Sequence, residues 1–130
     1  MSGSNTNSLQ PATTAISATA AVTTALTLTI PAAAAGLYNY LVALELTLVV
    51  ATTVTGAATP IAVTSTGVAG TPTYYLANGT SAVVGALLDR ITLTPALPIK
   101  GSAAATAMTF VAPSVTGAIW TMRAFYYQDI

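Results

Sequence analysis

The hydrophobic residues of this chain recur mostly at every second position, which is the spacing of a β-strand with one buried face. In TALTLTI (24–30), Leu26, Leu28 and Ile30 alternate with smaller or polar residues until Pro31 ends the run. Further short strands are predicted at 60–66, 72–77, 89–95, 105–112 and 118–128. Gly and Pro separate these runs, a pattern typical of an all-β sandwich or barrel.

The most hydrophobic stretch, LYNYLVALELTLVV (37–50), has two interpretations. A membrane-spanning helix needs about 20 apolar residues. The required window, 32–51, contains Gly36, Asn39 and Glu45 and has no flanking Lys or Arg to orient it. Period-two spacing sorts the stretch more cleanly and favours a buried strand. Its predicted core face consists of Tyr38, Tyr40, Val42, Leu44, Leu46, Leu48 and Val50.

Two segments in the middle of the chain have alternative interpretations. AVVGALLDR (82–90) is assigned to a strand, with a short helix as the alternative. Asn78-Gly79 is a dipeptide typical of tight turns, and with Thr80 it also matches a glycosylation sequon. The turn interpretation is preferred because MSGSNTNSLQ (1–10) has neither the basic residue nor the apolar stretch of a secretion signal.

The chain divides into two regions by composition. Residues 1–22 are rich in Ser, Thr, Asn and Ala without a large apolar cluster, and they predict a flexible N-terminal arm. Residues 23–130 are enough for a single hydrophobic core, so one β-sandwich domain of seven to eight strands is expected there.

Charged residues are unusually scarce. They make up 5% of the chain, against about 25% in ordinary soluble domains. Hydroxyls and small apolar groups could cover such a surface, or much of the surface could be buried in a permanent assembly. The second interpretation is preferred, because a lone monomer with so few charges would have little to prevent association.

The residue inventory argues against catalysis. The chain has no Cys and no His, so it lacks a thiol nucleophile, the commonest general base and the commonest metal ligands. Nothing in the spacing brings Glu45 and Asp89 together as a glycosidase pair. Three basic residues are too few for a nucleic-acid footprint. We therefore expect no enzyme activity, cofactor, metal, nucleic acid or small-molecule substrate.

Two sets of residues remain as candidates for contacts. Glu45 and Arg123 both lie mid-strand on the less apolar faces, where they predict an ion pair, with an exposed carboxylate as the alternative. Aromatic residues at alternate or adjacent positions predict an oligomer interface, since Tyr and Trp are enriched in interfaces. A doublet must send one ring to each face of its strand. The candidate interface residues are Tyr38, Tyr40, Tyr74, Tyr75, Trp120, Tyr126 and Tyr127.

The order of these segments resembles that of a known group of virion proteins. LTIP, GLYNYLVALELT, TPTYYL, LTPALPIKGSAAATAMTFVAP and AIWTMRAFYYQ follow one another after the Ala/Thr-rich arm. In this order the chain is similar to the capsid decoration, or cement, proteins of tailed bacteriophages. The resemblance implies a jelly-roll β-sandwich, usually trimeric, that binds the major capsid protein at symmetry axes and has no active site.

The expected function is therefore that of a virion protein made in the host cytoplasm, which binds the outer surface of an assembled head as an oligomer and stabilises it. The arm is expected to dock on the capsid or on a neighbouring trimer. Its candidate contact residues are Ser2, Asn5, Asn7, Leu9, Pro11 and Ile16. Two alternatives stay open: a host-attachment or glycan-binding module of a phage fibre or tail, and a structural subunit of a tail or other filament.

Overall fold

The computed structural model describes residues 11–130, which form nine β-strands and no helix. The strands are β1 (Thr14–Thr19), β2 (Leu26–Ile30), β3 (Tyr38–Val50), β4 (Ile61–Thr66), β5 (Tyr74–Leu76), β6 (Leu87–Leu93), β7 (Ile99–Lys100), β8 (Met108–Ala112) and β9 (Ala118–Asp129). The hydrophobic stretch 37–50 is thus a strand almost throughout. Within residues 11–130 no helical segment has the length and apolar character needed to cross a membrane.

The strands form two antiparallel sheets that pack in a sandwich-like arrangement. The larger sheet has the order β1-β9-β3-β6, and β7 pairs with the end of β3. The smaller sheet has the order β2-β8-β4-β5. The all-β prediction is confirmed, and the strand count is nine, one more than the upper expectation.

The core lies between the sheets and is filled from alternate positions of both. Trp120, Phe110 and Ile30 are its largest side chains, each with no exposed surface. Full burial of one such side chain contributes about 1.5–3 kcal/mol through removal of apolar surface from water. The inward residues of β2 are Leu26, Leu28 and Ile30, as the alternation predicted.

A β-bulge in β3 changes which residues face the core. Leu41 pairs with Tyr126 but Ala43 pairs with Phe125, so Val42 is an extra residue without a partner in β9. One inserted residue inverts the alternation of a strand. Before the bulge the inward residues are the odd-numbered Asn39 and Leu41, and after it they are the even-numbered residues from Leu44 to Val50. The predicted core face is correct after the bulge and wrong for Tyr38 and Tyr40, which lie on the outer face.

The bulge also turns Asn39 into the interior, where it has no exposed surface. Its side-chain nitrogen donates to the carbonyl oxygens of Pro31 (2.9 Å) and Thr106 (3.1 Å). Its side-chain oxygen accepts a hydrogen bond from Nε2 of Gln128 (2.9 Å). The amide therefore joins four segments that are distant in sequence, and a buried polar group is tolerated because it is fully hydrogen-bonded.

Part of the predicted flexible arm belongs to the sandwich. Thr14–Thr19 pairs with β9 from Tyr126 to Thr121, and Ile16 packs on the core. The arm prediction is wrong for this segment. The edge of β9 is open to pairing and Ile16 contacts the core, and these two contacts are enough to hold a strand made mainly of Ser, Thr and Ala. Pro11 and Ile16 are described by the structure; Ser2, Asn5, Asn7 and Leu9 lie outside the described residues.

The middle of the chain also departs from two predictions. Strand β6 spans Leu87–Leu93, so the strand prediction for 82–90 is confirmed only from Leu87 and is wrong for 82–86, where the chain turns at Gly85 (φ 85°). The helix alternative is also wrong. No hairpin turn forms at Asn78-Gly79, since β5 and β6 belong to different sheets. Instead, Asn78 holds the connection to the β3–β4 loop: its Nδ2 donates to Thr59 O (3.0 Å), and its carbonyl accepts from Ala57 N (3.0 Å).

Candidate interaction surfaces

The candidate aromatic residues separate into core and surface groups. Trp120 is fully buried and donates from Nε1 to Pro113 O (2.7 Å), and Tyr126 is 9% exposed. These two residues occupy inward positions of β9, so their prediction as interface residues is wrong. Their neighbour Tyr127 points outward, as the doublet rule requires.

The Tyr74-Tyr75 doublet divides in the same way. Tyr74 packs against the core, and its hydroxyl is buried without a hydrogen-bond partner. Burial raises the pKa of this phenol above its ordinary value of 10.0. Tyr75 is 63% exposed on the outer face of the smaller sheet. Only Tyr75 of this pair is accessible enough to form a large contact with a partner.

An aromatic patch, defined as Tyr38, Tyr40, Tyr127 and Lys100, lies on the outer face of the larger sheet. Tyr40 is opposite both Tyr127 and Lys100 in the strand register, so β3, β7 and β9 bring the groups together. The rings of Tyr40 and Tyr127 are stacked, with centroids 4.9 Å apart and planes at 8°. The Lys100 ammonium lies 4.0 Å from the centroid of the Tyr38 ring.

These contacts hold the patch in one arrangement. The hydroxyl of Tyr40 donates to the carbonyl oxygen of Ile130 (2.8 Å). Partial burial, with smaller contributions from Tyr40 and Asp129, raises the pKa of Tyr127. The Tyr127 phenol is therefore neutral at physiological pH, and Lys100 gives the patch a cation seated on an aromatic face.

The predicted ion-pair residues lie side by side without pairing. Glu45 is directly opposite Arg123 in the β3–β9 register. The Arg123 guanidinium lies over the Phe125 ring, 4.7 Å from its centroid, and within residues 11–130 no ion pair joins it to Glu45. The carboxylate is partly exposed on the outer face, which agrees with the alternative interpretation of an exposed carboxylate.

The charges are confined to one sheet. All three basic and all three acidic residues of the chain lie in strands of the larger sheet. Asp89 is on β6 opposite the core residue Leu48, and its Oδ2 accepts from Ala77 N (2.6 Å). The smaller sheet has no charged residue in any of its four strands. The two outer faces of the sandwich therefore differ in chemistry.

The outer face of the smaller sheet is rich in threonine. Its paired outward positions form two rows across β2, β8 and β4: Thr29–Thr109–Thr66 and Thr27–Val111–Thr64. We call these six residues the threonine face. Tyr75 lies beside it on the edge strand β5. The sequence analysis missed this set, although the Thr-x-Thr alternation in LTLTI and VTST indicates outward threonines on two strands.

A shallow groove of about 460 Å³ lies at one end of the sandwich. It is formed by the loops around Thr55–Ala62, Asn78 and Pro113–Thr116. Its lining is hydroxyl, amide and small apolar groups, and none of the exposed tyrosines borders it. The groove and the aromatic patch are thus separate surfaces.

Comparison with protein-family models, with curated proteins and with solved structures found no match to this chain.

Proposed function

We propose that this chain is a non-enzymatic capsid decoration protein, which binds the major capsid protein on the outside of an assembled phage head as a homotrimer. The aromatic patch is the observation that carries the proposal. It presents pre-ordered tyrosine rings on a sheet face, and tyrosine is enriched in protein–protein contacts. Rigid rings lose little conformational entropy when a partner covers them.

The strand arrangement supports a jelly-roll topology within this proposal. Strand β1 pairs with β9, β2 with β8, β3 with β6 and β4 with β5. These nested pairs are the pattern of a long antiparallel ribbon rolled into two four-stranded sheets, with β7 as a short addition to β3. Jelly rolls of this kind are common in viral capsid proteins.

A decoration role also fits the scarcity of charge. A protein that binds the assembled lattice and not its free subunits stabilises the lattice by mass action. A trimer repeats one modest contact three times, so a long residence does not need a large interface on each copy. Under this proposal the aromatic patch forms the contact between protomers, and much of the uncharged surface is covered in the particle.

The test uses heads of the parent phage assembled without this chain. Adding the purified chain is expected to give saturable binding, with a stoichiometry that scales with the capsid subunits, and to raise the temperature at which heads release DNA. Tyr127→Ala removes the ring stacked on Tyr40 and should reduce both trimer mass and occupancy. Val84→Ala, which truncates an apolar side chain (72% exposed) outside both outer faces, is the control. Failure of the unmodified chain to bind heads would contradict the proposal.

A glycan-binding module of a fibre or tail is the second candidate. The observation that favours it is the partly exposed aromatic patch, because saccharide rings stack on such surfaces. The groove, however, is lined by no aromatic residue, so the concave surface and the stacking rings that a saccharide site combines lie in different places on this protein. Binding of the isolated chain to a glycan array, abolished by Tyr127→Ala, would favour this candidate over decoration.

A further inference from the structure

We infer that the threonine face is a self-association surface, which packs against the same face of a second copy around a two-fold axis. This inference does not depend on the proposed capsid role. It concerns the sheet opposite to the aromatic patch, and it can be tested on the isolated protein.

The geometry of the face is regular. Thr27 and Thr64 flank Val111 in one row, and Thr29 and Thr66 flank Thr109 in the next. Neighbouring strands in a sheet are about 4.8 Å apart and alternate residues about 6.8 Å, so the side chains form a flat lattice. No long side chain interrupts this lattice, and a flat partner can approach all six positions at once.

Electrostatics decides which kind of partner suits the face. A partner that presented charges here would have to desolvate them with no counter-charge, since β2, β8, β4 and β5 have no charged residue. A charged partner would gain more from the larger sheet, where Glu45, Arg90, Lys100 and Arg123 lie. The threonine face itself is an uncharged flat surface of matching size, and every copy of the chain supplies one.

Hydroxyl chemistry makes the face self-complementary. Each threonine hydroxyl donates one hydrogen bond and accepts up to two. Thr66 and Thr109 already bond to each other across β4 and β8, which leaves both with acceptor capacity. In a two-fold contact both copies present the same groups, so each copy must supply donors and acceptors to the other. Hydroxyl groups satisfy this condition because each is both a donor and an acceptor. Val111 (39% exposed) and Tyr75 (63%) supply apolar area at the centre and edge.

The size of the face sets the strength of the contact. Three strands about 4.8 Å apart, with two rows of alternate residues about 6.8 Å apart, cover roughly 200 Å². A stable interface buries about 800 Å² per partner. The isolated protein should therefore dimerise weakly and reversibly through this face. Copies held close together, in a trimer pair or on a lattice, would occupy it far more fully.

Single-cysteine cross-linking tests the contact directly, because the chain contains no Cys. Thr64→Cys places a thiol near the centre of the threonine face. Thr121→Cys, an exposed threonine on the outer face of β9, is the matched control. With a short bis-maleimide, Thr64→Cys should give covalent dimer in proportion to protein concentration, at least fivefold (about 1 kcal/mol) more than the control. Equal yields from the two variants would overturn the inference.

A charge-insertion pair provides an independent readout. Thr64→Lys adds a charge to the contact face of each copy, where association would bury it with no charged residue of β2, β8, β4 or β5 to pair with it, whereas Thr121→Lys leaves that face unchanged. Sedimentation equilibrium is run in the Tyr127→Ala background, which removes the contact proposed for the trimer. In this background the otherwise unmodified chain and Thr121→Lys should show the same concentration-dependent rise in mass, and Thr64→Lys should not. Retention of this rise in Thr64→Lys, with far-UV circular dichroism unchanged, would also overturn the inference. Neither outcome depends on binding to heads, so the capsid proposal is tested separately.

Discussion

Replacing Asn39 by Asp exchanges one side-chain nitrogen for oxygen at a position with no exposed surface. The amide nitrogen donates to Pro31 O (2.9 Å) and Thr106 O (3.1 Å), and a carboxylate can donate to neither. The bond that Oδ1 accepts from Gln128 (2.9 Å) is retained. The substitution therefore preserves shape and removes two buried hydrogen bonds.

The size of the effect follows from those two carbonyl groups. Thr106 O loses its Asn39 partner and Pro31 O keeps only a longer bond from Gln128 Nε2 (3.5 Å), and a buried group left without a good partner costs about 1–3 kcal/mol. Together they give about 2–6 kcal/mol, a large part of the roughly 5–15 kcal/mol that stabilises a typical domain. Burial and the facing carbonyl oxygens raise the pKa of the introduced carboxyl group above its unfolded value. The loss of stability should therefore be smallest below about pH 4, where the group is protonated in both states, and should grow as pH rises.

Urea unfolding followed by circular dichroism measures this difference. The control is Asn78→Asp, because Asn78 makes a comparable amide bond to Thr59 O (3.0 Å) at an exposed site, where a substitution should cost less than about 1 kcal/mol. The reasoning is refuted if Asn39→Asp destabilises no more than Asn78→Asp, or if its deficit does not vary with pH.

Three further predictions follow from single residues. In thermal unfolding, Gly67→Ala should cost about 1–3 kcal/mol more than Gly36→Ala, because a Cβ at Gly67 would overlap the carbonyl of Ala107 whereas the space around Gly36 is open. The two glycines have nearly equal φ (76° and 79°), so the backbone strain of the substitution is the same in both variants. Equal costs would contradict the close contact between Gly67 and Ala107. Burial raises the pKa of Tyr74 in the folded state, so part of the folding stability is lost as the pH rises above 10.0, the ordinary pKa of the phenol. Tyr74→Phe should lessen this loss. If the urea midpoints of the two proteins fall equally at high pH, the burial of the Tyr74 hydroxyl does not have this effect. Trp120, the sole tryptophan, should emit at short wavelength and resist acrylamide quenching, whereas exposed-type emission would be inconsistent with its zero exposure.

Local alternation was sufficient to predict most strands and much of the core. In β2 and in β3 after Ala43, the apolar residues at every second position are the buried ones. The prediction failed where one residue interrupts the period. The bulge at Val42 depends on how β3 aligns with β9, and nothing in the composition of YNYLVAL marks it. The same residue decides that Tyr40 is a surface residue and Asn39 a core residue.

The other differences come from contacts between distant segments. Strand β1 has little hydrophobic character, and it forms because β9 offers an unpaired edge about one hundred residues away in sequence. Asn78-Gly79 lacks a hairpin turn because the strands on either side belong to different sheets. The doublet rule predicted that Tyr126 and Tyr127 point in opposite directions, and only the register shows which one is buried.

The candidate surfaces were predicted in part. Sequence reasoning identified Tyr38, Tyr40 and Tyr127, but it missed Lys100 in the aromatic patch because β7 has only two residues. It missed the threonine face because separate Thr-x-Thr runs become one surface only when β2, β8 and β4 are aligned. The scarcity of charge was evident from composition, whereas its confinement to one sheet required the strand order.

The most direct test of the proposed decoration role is the number of copies of this chain in each purified particle of the phage that the proposal requires, measured by quantitative mass spectrometry against the major capsid protein. A decoration protein should be present in a fixed ratio to the capsid subunits, with copies in the same numerical range. A handful of copies per particle would instead indicate a tail or fibre component, and absence from the particle would contradict the proposed function altogether.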